Sequence, residues 1–425
     1  MPWMLPRNGG RRLRTALASA LPRIPAVGAR ARRFLLLERV LLADAAGDRR
    51  HGVAELELGD APSPIVFAHA NHGRLIEACR YLLDGDPFGL AGYPAADSPE
   101  LYRGGLLGAG PDRPDLLYLP PRDLRCELQD ARLNLDHGGL CTRAGAMVRD
   151  FVPRSRRGPV KETEPLNARW LPRSPTRLEG CYTTVWAKWA GLNYFHWLID
   201  GLPRLAALHK IAASRPMTLL VPETMPSAWE DALACCLPEG MATQRASGWV
   251  QPERFILVSP RHISPAPWLT AEERKYLRQR VFDSLQLDPD AQPTRRLYIS
   301  RSGAAIRRVA NEAAVQQTLA SFGFETVQPE RLSFAQQARL FHEARCIVGA
   351  HGAGFANLLF AGRARVLELF SRDGFKPLYF FLCHSLGLQH DFLCGGAGNR
   401  REDFSVDVDD LKRSVDVMLA AAATD

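Results

Sequence analysis

The sequence predicts an α/β protein built as two doubly wound domains that face each other across a cleft. Three observations carry this expectation. The chain has 425 residues, 46% hydrophobic and 24% charged, enough for two or three domains that each bury a core. Its last third alternates short apolar runs with helical patterns, and such spacing makes right-handed parallel crossovers. The stretch before it repeats the alternation less cleanly. The expected divisions are a basic arm over residues 1–50, an N-terminal α/β domain over 51–288 and a C-terminal α/β domain over 289–425.

Taken in order, residues 65–70 read as a strand, 75–83 as a helix and 116–119 as a strand. Residues 122–177 are rich in Pro, Gly and Arg and show no assignable pattern. The β-branched and aromatic run 182–187 is a strand. Residues 193–213 are mostly helical, 218–222 and 255–259 are strands, and 270–284 form a charged amphipathic helix. Pro289 and Pro293 mark 287–294 as the linker. Strands follow at 297–300, 324–327, 346–349, 365–370 and 391–394. Helices lie between and after them at 311–321, 333–344, 353–360, 376–386 and 410–422, with Ser333 placed to cap its helix ahead of Gln336.

The net charge of 54 − 46 = +8 invites a nucleic-acid reading. Its placement excludes one. Arg7, Arg11, Arg12, Arg14, Arg23, Arg30, Arg32 and Arg33 supply the whole excess, and the first 33 residues carry no acid. The body is formally neutral and has no global field to hold a polyanion. The arm is expected to be solvated, with peripheral contact to anionic lipid as the alternative. No run approaches the roughly 18–20 apolar residues of a bilayer crossing. The nine scattered cysteines form no C-x-x-C pair, which suits buried thiols in a reducing cytoplasm and no structural zinc.

Three clusters could carry chemistry. Gly349-Ala350-His351-Gly352-Ala353-Gly354-Phe355-Ala356-Asn357 follows an apolar strand and opens a helix, so a ligand can approach the backbone and an anion can meet the helix start. The spacing is wrong for a dinucleotide fingerprint, and Glu368 sits inside the next strand. A second cluster, Arg295 to Arg301 with Arg307, Arg308, Asn311 and Glu312, places arginines past the carboxyl end of a strand, where they could fork onto a diphosphate. Each arginine alone is equally well read as a solvated face. The third is Asn193 to Arg204. If Asn193 caps that helix, His196 lies in its first turn, where the positive helix end favours a neutral, proton-accepting imidazole. Asp200 lies one turn on and could orient it, although Gly201 and Pro203 could end one helix and start another.

Other motifs fail. A phosphate-binding G-x-x-x-x-G-K and a zinc-binding H-E-x-x-H are absent. Cys383-His384-Ser385-Leu386-Gly387 lacks the first glycine of a nucleophile elbow. Asp407-Val408-Asp409 has a D-x-D form but opens the last helix, where acids complement the dipole.

In this order the clusters resemble glycosyltransferase family 61. The matching strings are Asn193–Leu205, Leu297–Arg301 with Arg307-Arg308 and Asn311-Glu312, Gly323-Phe324, Pro329-Glu330, Phe334, Gln337, Gly349–Phe360 and Val366–Leu369. The resemblance implies a two-Rossmann fold of the GT-B type. It implies an inverting enzyme, without metal or other cofactor, that moves a sugar from a nucleotide-diphosphate donor to a glycan or lipid-linked acceptor. Arg301, Arg307 and the loop His351, Gly352, Ala353, Gly354 would hold the diphosphate with Asn357 nearby. Arg308, Asn311 and Glu312 would share the donor side, and Glu368 would take the ribose hydroxyls by analogy. His196 or Asp200 would be the base. Cell-envelope polysaccharide synthesis at the inner membrane face is the expected setting. A non-catalytic sugar-binding protein and a serine hydrolase are the rival readings.

Overall fold

A computed structural model describes residues 34–35, 52–58, 65–67, 105–107, 116–120, 124–136, 138–148, 174–186, 190–191, 193–259 and 267–424. The basic arm to residue 33 and the expected helix at 75–83 lie outside them. The described part is α/β. One sheet has ten strands, a second has five, and a small antiparallel sheet has three.

The five-stranded sheet is the doubly wound unit that the sequence predicts. Its strands, Arg295–Ile299, Glu325–Val327, Ala344–Ala350, Arg365–Phe370 and Gln389–Cys394, are all parallel and lie in the chain order 2-1-3-4-5. The side-chain alternation of the inner strands feeds two separate cores. Leu297, Ile299 and Ile347 pack with Phe334, Phe341 and Phe355 on one face. Tyr298, Cys346 and Val348 pack with Val315, Leu411 and Val415 on the other. The helices that cover these faces start where their caps dictate. Ser333 accepts from Gln336 N while Gln336 returns to Ser333 N, a reciprocal box whose loss costs about 1 kcal/mol. Gly387, with φ +74°, ends Leu378–Leu386 in the left-handed conformation.

The ten-stranded sheet is mixed. Trp249–Val258, Thr176–Thr183, Thr218–Pro222 and Thr243–Ala246 are mutually parallel in that order, with helices Arg204–Ala212 and Ser227–Cys236 in the connections. Beyond Trp249–Val258 the pairing turns antiparallel, through Leu124–Gln129 and Arg132–Asn134. The segment with no sequence pattern thus supplies strands. Leu124–Gln129 and Arg132–Asn134 run in one register along Trp249–Val258, past a left-handed Asp130 with φ +51°. A tight turn in which Gly138 N donates to Asn134 O then leads to Leu140–Cys141. Such turns need neither a helix nor a long connection. The core that includes Trp197, Leu205, Leu219 and Ile256 from this side is continuous with Leu297, Phe355 and Tyr379 from the other.

The eight described cysteines are free thiols. Burial pushes Cys126 and Cys141 up to about 12, so neither is a thiolate at neutral pH. No helix among the described residues is long and apolar enough to cross a membrane.

Candidate active site

The His196 cluster is built on an irregular helix. Asn193 Oδ1 accepts from Phe195 N at 2.9 Å and the chain turns helical at Tyr194. From His196 to Gly201 it widens into a π-helix, in which Leu202 N donates to Trp197 O at 3.0 Å. A regular α-helix, Arg204–Ala212, restarts after Pro203. Gly201 is needed there, because a Cβ would press on Val185 O at 3.1 Å and the Trp197 ring at 3.2 Å. Single π turns cluster at functional sites, and this one brings His196 Nδ1 to 2.5 Å from Asp200 Oδ2. Behind the pair, Arg204 is buried and held by the carbonyls of Val185 and Val258. Burial lowers its guanidinium to about 10, and attraction to Asp200 opposes that shift. Sequence reading missed this buried cation.

The second cluster lies at the switch point of the five-stranded sheet, where chain order reverses between Arg295–Ile299 and Ala344–Ala350. The carboxyl ends of two such strands form the ligand crevice of an open sheet. Arg301 follows the first strand and His351 the second. Arg301 is fixed by Nε to Arg307 O at 3.2 Å and Nη2 to Ile306 O at 2.9 Å. Its guanidinium rests on Gly352, where any Cβ would collide with Nη1. This close approach is the reason for the glycine. The Tyr379 hydroxyl donates to Gly352 O at 2.6 Å and sets the turn. The Ala353–Phe360 segment that follows has the expected bounds but is a 3-10 helix, and Gly354 lies against Pro329.

Arg307 has a left-handed backbone, φ +59°, and its Nε is buried without a hydrogen-bond partner among the described residues. The nearest acid is Glu402, at 3.8 Å. Lys376 donates to the same Glu402 oxygen at 2.7 Å. Burial pulls the Lys376 ammonium below the usual lysine range, and the Glu402 bond opposes that. Arg301, Arg307 and Lys376 all bear electrostatically on His351, so the strand ends are ringed by three cations.

Four expected donor ligands face elsewhere. Arg308 binds Asp403 through Nη2 at 2.9 Å and through its backbone N–H. Asn311 spends its amide on both backbone groups of Val406. Glu312 accepts from the Tyr298 hydroxyl and from Arg301 N, so it braces the loop from behind. Glu368 is fully buried, with one oxygen 2.6 Å from His351 Nδ1 and the other 2.9 Å from His390 Nε2. Neither oxygen is left for ribose hydroxyls. The reason is its place in the middle of a central strand.

Burial favours the neutral form of both partners in the His351–Glu368 contact. Burial drives Glu368 well above the carboxylate range and His351 well below the imidazole range. It also lowers His390 to about 3. The shorter distance suits an acid O–H donating to His351 Nδ1, and the longer one suits His390 N–H donating to the carbonyl oxygen. In that arrangement His351 would carry its hydrogen on Nε2 and act as a neutral donor. Glu368→Gln, which copies that donor–acceptor pair, should keep stability and anion affinity within about threefold of wild type. Glu368→Ala should lose about 2–5 kcal/mol by leaving two buried imidazoles unpaired. Chemical denaturation of both variants checks this. Equal losses would mean an ionised Glu368.

Asn357 joins the two sides. It is fully buried, accepting from the Tyr194 hydroxyl at 2.8 Å and donating to Gln337 Oε1 and Gly354 O. Its expected nearness to a ligand becomes a bracing role. The Tyr379 ring lies 5.6 Å from Phe195 and 5.1 Å from His351 between centroids, and Phe195 packs at 5.3 Å on His196. The His–Asp pair and the cation-ringed histidine therefore share one aromatic bridge. Two clefts among the described residues, of about 540 and 270 Å³, include none of these side chains. Asp407 accepts from the N–H groups of Asp409 and Asp410, as a helix cap does. No group of three potential metal ligands occurs among the described residues. Ser385 is buried and bonded to Leu382 O, so it is not poised as a hydrolase nucleophile.

Residues 194–367 match the family model described as Glycosyltransferase 61. The chain carries a glycosyltransferase family 61 domain. The matched segment contains the His196–Asp200 pair, Arg301, Arg307 and the His351–Gly354 loop, while Glu368, Lys376 and Glu402 lie beyond it. No curated protein matches the chain. With this family segment the protein is a glycosyltransferase, and its substrates are a sugar donor and an acceptor.

Proposed function

We propose that the protein transfers a sugar with inversion from a nucleotide-diphosphate donor to a hydroxyl of a glycan or lipid-linked acceptor, without a metal, on a fold of the GT-B type. The observation that carries this reading is the shared aromatic bridge, with a proton-accepting pair on one side and cations around a sheet switch point on the other. An inverting displacement needs both. The acceptor oxygen bonds to the anomeric carbon as the bond to the diphosphate oxygen breaks, and the acceptor proton passes to His196 Nε2. Asp200 holds Nδ1 and favours the imidazolium that forms. The departing diphosphate gains charge that Arg301, Arg307, the Nε2–H of His351 and the N–H groups of the 353–360 turn can meet. Residues 51–288 would carry the acceptor side and 289–425 the donor side.

Cations in place of Mg²⁺ lead to a direct expectation. Transfer, read as release of nucleoside diphosphate from a donor panel, should persist in excess EDTA. Complete loss that Mn²⁺ or Mg²⁺ restores would overturn the metal-free reading. A thermal-shift screen of UDP-, GDP-, dTDP- and CMP-sugars names the donor, since a ligand at 100 Kd adds about 2.7 kcal/mol. Protection by CMP-sugars alone would contradict a diphosphate site. Envelope polysaccharide synthesis at the cytoplasmic membrane face, with the arginine-rich arm on anionic lipid, is the setting this chemistry suits.

A further inference from the structure

The cations around His351 are already partly occupied from within the chain. Glu402 sends one carboxylate oxygen to 2.7 Å from Lys376 Nζ and 3.8 Å from Arg307 Nε. Both Arg307 and Glu402 hold left-handed backbones, φ +59° and +60°. Such conformations persist in non-glycine residues only when the surroundings impose them. Here the imposing structure is visible. Arg307 N donates to Arg401 O, Phe404 N to Arg308 O and Ala310 N to Phe404 O, so segments 307–310 and 401–404 are zipped together. Asn399 Oδ1 accepts from the N–H groups of Arg401 and Asp403 and fixes the second segment. The zipper carries the acid to the cations. Its side chain remains 43% exposed, so it can swing into water when displaced.

We propose that Lys376 is a third cation of the diphosphate site and that Glu402 is an internal anion which the diphosphate displaces. The inference rests on the donor reading above and extends it with two residues outside the family-matched segment. Three features favour displacement over a permanent brace. Among the described residues the Arg307 guanidinium keeps a buried Nε without a hydrogen-bond partner, beside a carboxylate 3.8 Å away that is too far to accept from it. The other acid on this loop, Asp403, is fully engaged by Arg308. Glu402 faces both Arg307 and Lys376 with one carboxylate oxygen, and a diphosphate brings more oxygens than Glu402 supplies. The resting contact would keep Lys376 charged despite its burial and weaken binding of stray monoanions.

The test is calorimetric titration of inorganic pyrophosphate into the full chain. Glu402→Gln keeps shape and removes the competing charge, and it should tighten pyrophosphate by about 5-fold. Lys376→Ala should weaken it by about 10-fold, both being fold-changes of the size that partly exposed charges give. The gain from Glu402→Gln should shrink in the Lys376→Ala background, because the acid acts through that cation. Structural damage does not tighten binding, so a gain separates displacement from bracing. Unchanged or weaker binding by Glu402→Gln, with pyrophosphate still lost on Arg301→Ala, overturns the internal anion and leaves the donor reading standing. No pyrophosphate binding by wild type or any variant overturns both.

Discussion

His196→Ala should lower kcat by about 10²–10⁴ while leaving affinity for the nucleoside diphosphate within about threefold. The asymmetry follows from placement. His196 sits on a π turn of the first half, and the cations that would hold the diphosphate sit on loops after two strands of the second sheet. Loss of the imidazole removes the proton acceptor without disturbing Arg301, Arg307 or the Gly352 turn. Asp200→Asn distinguishes two versions of the pair. If Asp200 only holds Nδ1–H, turnover should fall less than in His196→Ala. A fall as deep would make the carboxylate the base, or an inseparable partner. That substitution also leaves the buried Arg204 without the charge that now attracts it, so folding is checked by circular dichroism beside the kinetics. Near-normal turnover in both variants would make the π turn architectural and place the base elsewhere.

Arg301→Ala and Arg307→Ala should each weaken nucleoside diphosphate binding by about 10–150-fold, the loss of one charge-assisted bond of about 1.5–3 kcal/mol. Arg301 is the more constrained, with two of its nitrogens already holding backbone carbonyls and its face on Gly352. Gly352→Ala should therefore copy Arg301→Ala, since the new methyl drives the guanidinium off its seat. Arg308→Ala is the internal control, because that side chain turns away to Asp403, and its binding should stay within about twofold. Calorimetry over these four variants maps the site. Arg308→Ala as damaging as its neighbour would reverse the assignment.

Much of the C-terminal sheet was legible because its inner strands are buried on both faces and read as apolar runs. Arg365–Phe370 and the bounds of Ala353–Phe360 follow from the sequence directly, and Ser333 with Gln336 forms the predicted cap. The ten-stranded sheet was less legible. Thr243–Ala246 is a half-exposed edge strand without an apolar run, and the run Leu124–Asn134 is interrupted by a left-handed Asp130 that no motif announces. At the site, the chemistry was readable where residues lie close in the chain. His196 and Asp200 are four apart, and one helix turn joins them. What could not be read was long-range pairing. Asp403 claims Arg308 from 95 positions away, Val406 claims Asn311 from the same distance, and Glu368 is taken by histidines on each side. Lys376 and Glu402 carried no motif, and only the fold sets them beside Arg307.

The measurement that reaches furthest is titration of nucleotide-diphosphate sugars into His196→Ala protein, followed by an acceptor-dependent turnover assay of the same donor with wild type. The expected result is one donor that binds the variant as tightly as wild type and is consumed only when His196 is present, giving a product of inverted anomeric configuration. A donor that binds but is turned over equally by both proteins, or a product of retained configuration, would contradict transfer through this pair and these cations.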